Sequence, residues 1–226
     1  MTVKIEKPII SFNIVKDENI EPAKPKKDKP KVEQMSERVK RPEALLGETY
    51  KIKPPQAEHA LYVTINDIIL NEGTTHESRR PFEIFLSSKD MGHYQWTIAL
   101  TLIISSVFRK GGDVTFLVEE LRSVFDPNGG YFKRGGKYVP SLVAEIGDVI
   151  EKHLKKIGMI DCDEVDEHQK AFIASKKKEL NLKEQANDTH SAFPAESQLC
   201  TTCSTKAMVL LDGCMTCLNC GYSKCG

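Results

Sequence analysis

The sequence predicts an α+β fold: a three-stranded sheet packed by about three helices, then a flexible tether and a small metal-built unit at the C-terminus. Three observations carry this. Period-two alternation runs through three segments between Thr49 and Ser87, and apolar residues at helical spacing run through three more between Tyr94 and Ile157. Six of the seven cysteines crowd between Cys200 and Cys225.

Composition narrows the class. The 226 residues are 40% hydrophobic and 28% charged, with 32 basic and 32 acidic side chains. Such a chain can build a core but has no global electrostatic claim on nucleic acid or an anionic membrane. The N-terminus alternates charged and apolar residues, unlike a signal peptide. The longest apolar stretch, Ile98 to Phe108, is broken by Thr101, Ser105 and Ser106 and falls far short of the ~20 residues needed to cross a bilayer. Seven cysteines in this context read as metal or redox chemistry in a reducing, cytoplasmic setting, not as a disulfide framework.

Residues 1–46 read as a disordered basic leader. Val3–Ile5 and Ile9–Val15 have the pattern of a short strand, and the Lys/Pro-rich run Glu21–Lys31 cannot bury apolar surface and is expected to be disordered. Residues 47–160 make the α+β domain. Its strands are Thr49–Lys53, His59–Leu70 and Pro81–Ser87, rich in β-branched and aromatic residues. Tyr94–Lys110 is a helix apolar on most sides, predicted to lie buried against the sheet, with Trp96 and Phe108 as core residues. Gly111-Gly112 stops it and Asp113 caps a second helix, Val114–Phe125. A third, Pro140–Ile157, carries the stripe Leu142, Val143, Ile146, Val149, Ile150, Leu154 and Ile157, and Gly158 ends it. Residues 161–196 are polar and read as a tether with one helix near Val165–Lys183. A flexible tether of this length reaches roughly 30–37 Å.

The tail, residues 197–226, carries the strongest signal. Cys200-Thr201-Thr202-Cys203 is followed by the strand Ala207–Leu211, then by Cys214-Met215-Thr216-Cys217-Leu218-Asn219-Cys220-Gly221 and a last cysteine, Cys225. Two CxxC knuckles around a strand are the layout of a zinc ribbon, each knuckle aiming two thiolates at one tetrahedral ion. So short a segment has no independent core, and the metal must supply its folding energy. Four sulfurs suffice where six are present. Zinc on Cys200, Cys203, Cys217 and Cys220 places the knuckle glycine, Gly221, correctly and leaves Cys214 and Cys225 over; zinc on Cys200, Cys203, Cys214 and Cys217 leaves Cys220 and Cys225. Surplus thiols near zinc or lysine are competent exchange nucleophiles. Cys162, in an acidic stretch, reads as structural or incidental.

Weaker signals are read blandly. Gly130–Tyr138 imitates a phosphate loop but lacks its hydroxyl residue and its leading strand, so it reads as a flexible loop or a subunit contact. Glu119 and Glu120 read as a solvated helix face. His59, His76 and His93 show no ligand spacing.

Several motifs together resemble the C-terminal region of adenosylcobalamin-dependent (class II) ribonucleotide reductases, the TSCPD domain. They are Gly47-Glu48-Thr49-Tyr50-Lys51-Ile52, Tyr62–Asp67, Arg80–Phe85, Phe108–Val114, Val118–Leu121, Val124–Pro127 and Tyr138–Leu142, and the tail Gly213–Gly221 resembles the end of the same enzymes. The first knuckle departs from the family, which usually has proline after the first cysteine and glycine after the second; here these are Thr201 and Ser204. With only a short leader before the matching region, the resemblance implies the small subunit of a split reductase. Its large catalytic subunit would carry the radical chemistry and bind the adenosylcobalamin. The resemblance further implies that Cys214 and Cys225 form a redox shuttle, taking electrons from a thioredoxin-like or other dithiol reductant to the disulfide left in the active site. The competing expectation is a zinc-ribbon module that binds nucleic acid or protein without redox work. The ribbon's few basic residues, Lys206 and Lys224, argue against nucleic acid. No membrane partner is expected.

Overall fold

A computed structural model describes residues 32–55, 57–89, 92, 94–161, 167–179, 193–194, 196–211 and 213–225. The expectations for Val3–Ile5, Ile9–Val15, the Glu21–Lys31 run, His93 and Cys162 fall outside these residues. The chain divides into two units, Met1–Val32 and Glu33–Gly226. Every helix and strand among the described residues belongs to the second unit. Among the described residues the fold is a mixed α+β one with four helices, a three-stranded antiparallel sheet and a C-terminal cysteine cluster.

Strands β1 (Leu46–Ile52), β2 (Leu61–Leu70) and β3 (Ser78–Ser88) form the sheet in the order β1-β2-β3. Alternation puts Val63 and Ile65 of β2 on the same face as Leu86 and Ile84, their partners on β3. This face builds the main core with helices α1 (Tyr94–Lys110), α2 (Phe116–Arg122) and α3 (Leu142–Lys156). Between Asn66 and Asp67 the register slips, so that Phe82 is an extra residue on β3. A one-residue bulge turns the following side chains to the other face. On β2 plain alternation already puts Ile68 and Leu70 opposite Val63 and Ile65; the bulge brings Phe82 of β3 to that same face, and the three make a second, smaller core with Met35, Val39 and Leu45.

Those last three residues come from the stretch that the sequence places in the disordered leader. In the structure this stretch straps the sheet: Glu33 and Asn71 exchange two hydrogen bonds, and Arg41 grips Glu83 with two guanidinium nitrogens at 2.9 and 3.1 Å. The Arg41 hydrogen bonds hold the Glu83 carboxyl below its ordinary pKa against the opposing effect of burial. Polar composition alone hides such a strap, because one buried methionine and one bidentate ion pair anchor it.

Helix α1 spans the residues predicted but is not buried on most sides. Only Thr101, Ile104, Ser105 and Phe108 are buried, with Leu100 and Val107 half-buried against the core, and Trp96 is 78% exposed. The reason is its position beside the sheet's edge rather than over its face. Ser105 Oγ accepts a hydrogen bond from Ile84 N at 3.0 Å, satisfying a backbone donor on the outer edge of β3. A small hydroxyl residue permits that close approach and leaves the bulky Trp96, Leu102 and Ile103 outside.

Helix α2 is shorter than predicted at both ends. Asp113 does not cap it; its Oδ1 accepts from Thr115 N and Thr115 Oγ1, and the helix begins after Thr115. Helix α3 starts where Ser141 Oγ accepts from Ala144 N at 3.0 Å. Of its predicted stripe, Ile146, Ile150 and Leu154 are fully buried, whereas Leu142 is exposed. Gly147 sits where α2 crosses α3: a Cβ there would lie 3.0 Å from Leu121 Cβ and 3.3 Å from Val118 O. Gly147→Leu is therefore expected to destabilise the domain by about 1–3 kcal/mol through overpacking, measurable as a lowered thermal midpoint.

Candidate metal and thiol site

The tail folds as a four-stranded sheet of β6 (Gln198–Leu199), β7 (Lys206–Leu211), β8 (Cys214–Cys217) and β9 (Ser223–Cys225), in that order. The two knuckles repeat one turn. In the first, Ser204 N donates to Cys200 O at 2.9 Å; in the second, Gly221 N donates to Cys217 O at 2.9 Å. The residue after each knuckle is left-handed, Gly221 at φ 77° and Ser204 at φ 52°. Glycine adopts that conformation freely, whereas for serine it costs about 1–2 kcal/mol. Ser204→Gly is expected to stabilise the ribbon by up to about 1 kcal/mol after the extra unfolded-state entropy of glycine, read as slower metal loss to a chelator.

This repeated turn brings Cys200, Cys203, Cys217 and Cys220 together, their sulfurs all within 4.8 Å of one another. Cys200 and Cys220 sulfurs are 3.8 Å apart, and those of Cys203 and Cys217 are 3.7 Å apart. Four sulfurs at about 2.3 Å from one tetrahedral ion stand about 3.8 Å apart. The donor set, all thiol, suits zinc among common ions, so the cluster could hold a metal such as zinc. Asn219 supports it, its backbone N donating to Cys217 Sγ and its side-chain Nδ2 to Cys203 Sγ at 3.4 and 3.5 Å.

Without a cation Cys203, Cys217 and Cys220 do not ionise together. Burial pushes the Cys217 and Cys220 thiols up. Burial acts the same way on Cys203, but hydrogen bonds from Asn219 and Thr205 outweigh it and bring that thiol down to about 6. One site thus takes the first negative charge and its neighbours resist the next, a conflict that a divalent ion removes.

The other two tail cysteines stand apart from the cluster. Cys214 and Cys225 face each other across β8 and β9 with Cα atoms 4.4 Å apart, and they are joined by a disulfide. Cys225 is exposed and Cys214 half-buried.

The ribbon is fastened to the α+β domain by the segment that imitates a phosphate loop. Tyr131–Phe132 (β4) and Tyr138–Val139 (β5) pair as a hairpin. Its outer side bonds the first knuckle, through Tyr138 N to Ser204 O at 2.6 Å and Lys206 N to Gly136 O at 2.8 Å. Helix α4 (Glu167–Glu179), within the segment read as a tether, lays Gln169 against Gly221 and buries Ile173. Between the hairpin, α3 and the ribbon lies a cleft of about 870 Å³. Its charged wall is internally paired: Asp148 meets Lys137 and Arg122, and Glu151 meets Arg122 and Lys155. Burial pushes the Asp148 carboxyl up, and the two cations more than reverse it.

The TSCPD domain family matches residues 29–154, more than half of the chain. The chain belongs to the TSCPD domain family. TSCPD domains occur in adenosylcobalamin-dependent ribonucleotide reductases. No curated protein and no solved structure matches the chain. Among the described residues no helix is long and apolar enough to cross a membrane.

The TSCPD domain also holds a buried polar chain that sequence reasoning misses. His153, on the inner side of α3, reaches Asp67 Oδ1 with Nε2 at 2.8 Å and the Tyr50 hydroxyl with Nδ1 at 2.9 Å. Asp67 also receives Arg79, and Tyr50 donates to Glu48, which pairs with Lys156. Burial, then Glu48, raises the Tyr50 phenol; the Lys156 hydrogen bond lowers Glu48. The available signal was a histidine inside the apolar stripe of α3. His59 and His76 are exposed, as are Glu119 and Glu120.

Proposed function

We propose that this TSCPD protein is the accessory subunit of an adenosylcobalamin-dependent ribonucleotide reductase, in which Cys214 and Cys225 deliver electrons to a separate catalytic subunit. Zinc, held by Cys200, Cys203, Cys217 and Cys220, would supply structure and no redox chemistry, since it has no accessible second oxidation state. The observation that carries the reading is a disulfide-bonded pair, one of whose residues, Cys225, is exposed, built onto the same strand, β8, that enters the four-thiol cluster.

Each conversion of a ribonucleotide to a deoxyribonucleotide takes two electrons from a thiol pair in the catalytic chain, which closes to a disulfide as water leaves. In its reduced form, one thiolate of the Cys214/Cys225 pair attacks that disulfide and forms a mixed disulfide. The second attacks the mixed bond, returning two catalytic thiols and leaving Cys214 bonded to Cys225. A dithiol reductant then reopens the pair. The adenosylcobalamin belongs to the catalytic subunit.

The test combines the protein with a cobalamin-dependent catalytic chain and measures deoxynucleotide formation with a dithiol protein as reductant. Cys214→Ser and Cys225→Ser should each leave the first turnover intact and abolish sustained turnover. Sustained turnover at the wild-type rate in either variant would reject the shuttle.

A further inference from the structure

The ribbon sheet has an edge that the described residues leave open. Strand β9 is outermost, paired on one side only, and Ser223, Lys224 and Cys225 are all exposed. The other sheet is treated differently, its β3 edge being covered by α1 through Ser105.

The pairing of β9 fixes which groups face outward. In antiparallel strands, opposed residues alternate between close, non-hydrogen-bonded pairs and wider pairs that exchange both backbone bonds. Cys214 and Cys225 lie opposite with Cα atoms 4.4 Å apart, the spacing of a non-hydrogen-bonded pair. At the other end of the pairing, Cys217 N donates to Tyr222 O at 2.7 Å, as this alternation requires. Lys224 therefore spends its backbone groups on Met215, while Ser223 and Cys225 turn their N–H and C=O groups away from β8. The open edge thus presents two donors and two acceptors at strand spacing, and one of the residues presenting them, the exposed Cys225, is half of the disulfide.

We infer that the free edge of β9 docks an extended segment of the dithiol protein that reduces Cys214–Cys225, and that Cys225 Sγ is the sulfur it attacks. The inference rests on the redox reading proposed above and adds the partner's mode of recognition. A partner whose reactive cysteine flanks an extended segment adds that segment to the sheet, and main-chain bonds to Ser223 and Cys225 bring its thiolate to the neighbouring sulfur. The partner thiolate bonds to Cys225 Sγ, the Cys214–Cys225 bond breaks, and Cys214 leaves as a thiolate that takes up a proton. The partner's second thiolate then attacks the partner sulfur of the mixed disulfide and frees Cys225. Two electrons reach the pair, and the partner leaves oxidised.

Two measurements test this. In the first, the oxidised wild-type chain is mixed with a thioredoxin-type protein whose second active-site cysteine is serine, and the trapped mixed disulfide is mapped by peptide mass spectrometry. The link should lie on Cys225; a link on Cys214 overturns the inference. The second compares reduction rates by dithiothreitol and by the intact thioredoxin-type protein. Ser223→Pro removes one outward N–H at an edge position that tolerates proline, and Ser223→Ala controls for the hydroxyl contact with Thr216. Ser223→Pro should slow the protein reductant about tenfold, the worth of roughly one hydrogen bond, and leave dithiothreitol unaffected. Equal rates for wild type and Ser223→Pro with the protein reductant overturn strand docking, and the functional reading survives if turnover still needs both cysteines. Strand-dependent reduction in a chain whose cysteines prove dispensable for turnover supports docking and counts against the functional reading instead.

Discussion

Cys217→Ser is expected to lose the metal-binding capacity of the cluster and the fold of the ribbon together. Cys217 and Cys200 are buried, and among the described residues they share the ribbon's interior with Phe193, Ala207, Met208 and Leu218, edged by partly buried Val209, Leu211 and Met215. An apolar cluster this small cannot offset the entropy of ordering the surrounding chain, at about 1–2 kcal/mol per residue. Structural zinc contributes an apparent ~10–16 kcal/mol at neutral pH in small ribbons and fingers, so a zinc ion held by this cluster would decide whether the tail folds. Removing one thiolate also leaves Asn219 N without its sulfur acceptor. The variant should contain less than one zinc per chain by elemental analysis, and the amides of Cys200–Gly221 should lose their protection from hydrogen exchange. The core of the α+β domain should keep its protection, because no ribbon residue belongs to it. Cys214→Ser, which lies outside the cluster, should keep its zinc. Zinc and protons compete for the same sulfurs, so acidification should release the metal and mimic Cys217→Ser. A fully protected tail in metal-free Cys217→Ser would show that something other than metal folds the ribbon.

The same contrast shows what the sequence can and cannot disclose. Helix α1 is legible to the residue and the ribbon's two knuckles are plain, because each is encoded within a few neighbouring positions. What lies against each element is not. The apolar surplus of α1 reads as burial on all sides, yet its hydroxyl face meets the edge of β3 and Trp96 stands in solvent. Period-two alternation finds β2 and β3 but cannot reveal the register slip that makes Phe82 an extra residue and moves it to the face opposite Ile84 and Leu86. Strands β4, β5 and β9 are two or three residues long, below any periodicity signal, and exist through the partners they meet. The two spare cysteines are a mixed case. Their count is visible in the sequence, but their bond depends on the β8–β9 register.

Strand β8 ties the two sulfur sites into one device. Cys214 begins the strand and Cys217 ends it, so the metal cluster and the disulfide are separated only by Met215 and Thr216. A metal at the cluster would hold β8, and β8 holds β9 in the register that opposes Cys225 to Cys214. Loss of zinc would therefore be felt at the thiol pair through a shared strand, with no redox role for the metal.

Asp67→Ala should be the most damaging single change within the α+β domain itself. The Asp67 side chain is fully buried; its carboxylate accepts from Arg79 Nε at 2.8 Å, forms an ion pair with Arg79 Nη2 at 2.7 Å and lies 2.8 Å from His153 Nε2. Truncation leaves the ring nitrogen of His153 without an acceptor in a fully buried site and deprives Arg79 of its closest partner. Breaking a buried charged network from one side costs about 3–5 kcal/mol, against about 0.5–1 kcal/mol expected for an exposed pair. For a domain of this size that corresponds to a fall of very roughly 10–25 °C in the thermal midpoint. Asp67→Asn keeps one acceptor and should cost less, and Tyr50→Phe, which cuts the link from His153 to Glu48, less again. In a double-mutant cycle Asp67 and His153 should couple by at least about 0.5 kcal/mol; strict additivity would mean that the two do not act as a unit. Acid should weaken the same region. The folded-state pKa of Glu48 lies below its ordinary value, chiefly through Lys156, so its contribution is present above the ordinary carboxylate range and is lost as pH falls through the folded value. Glu48→Gln should flatten that acid limb of the stability profile.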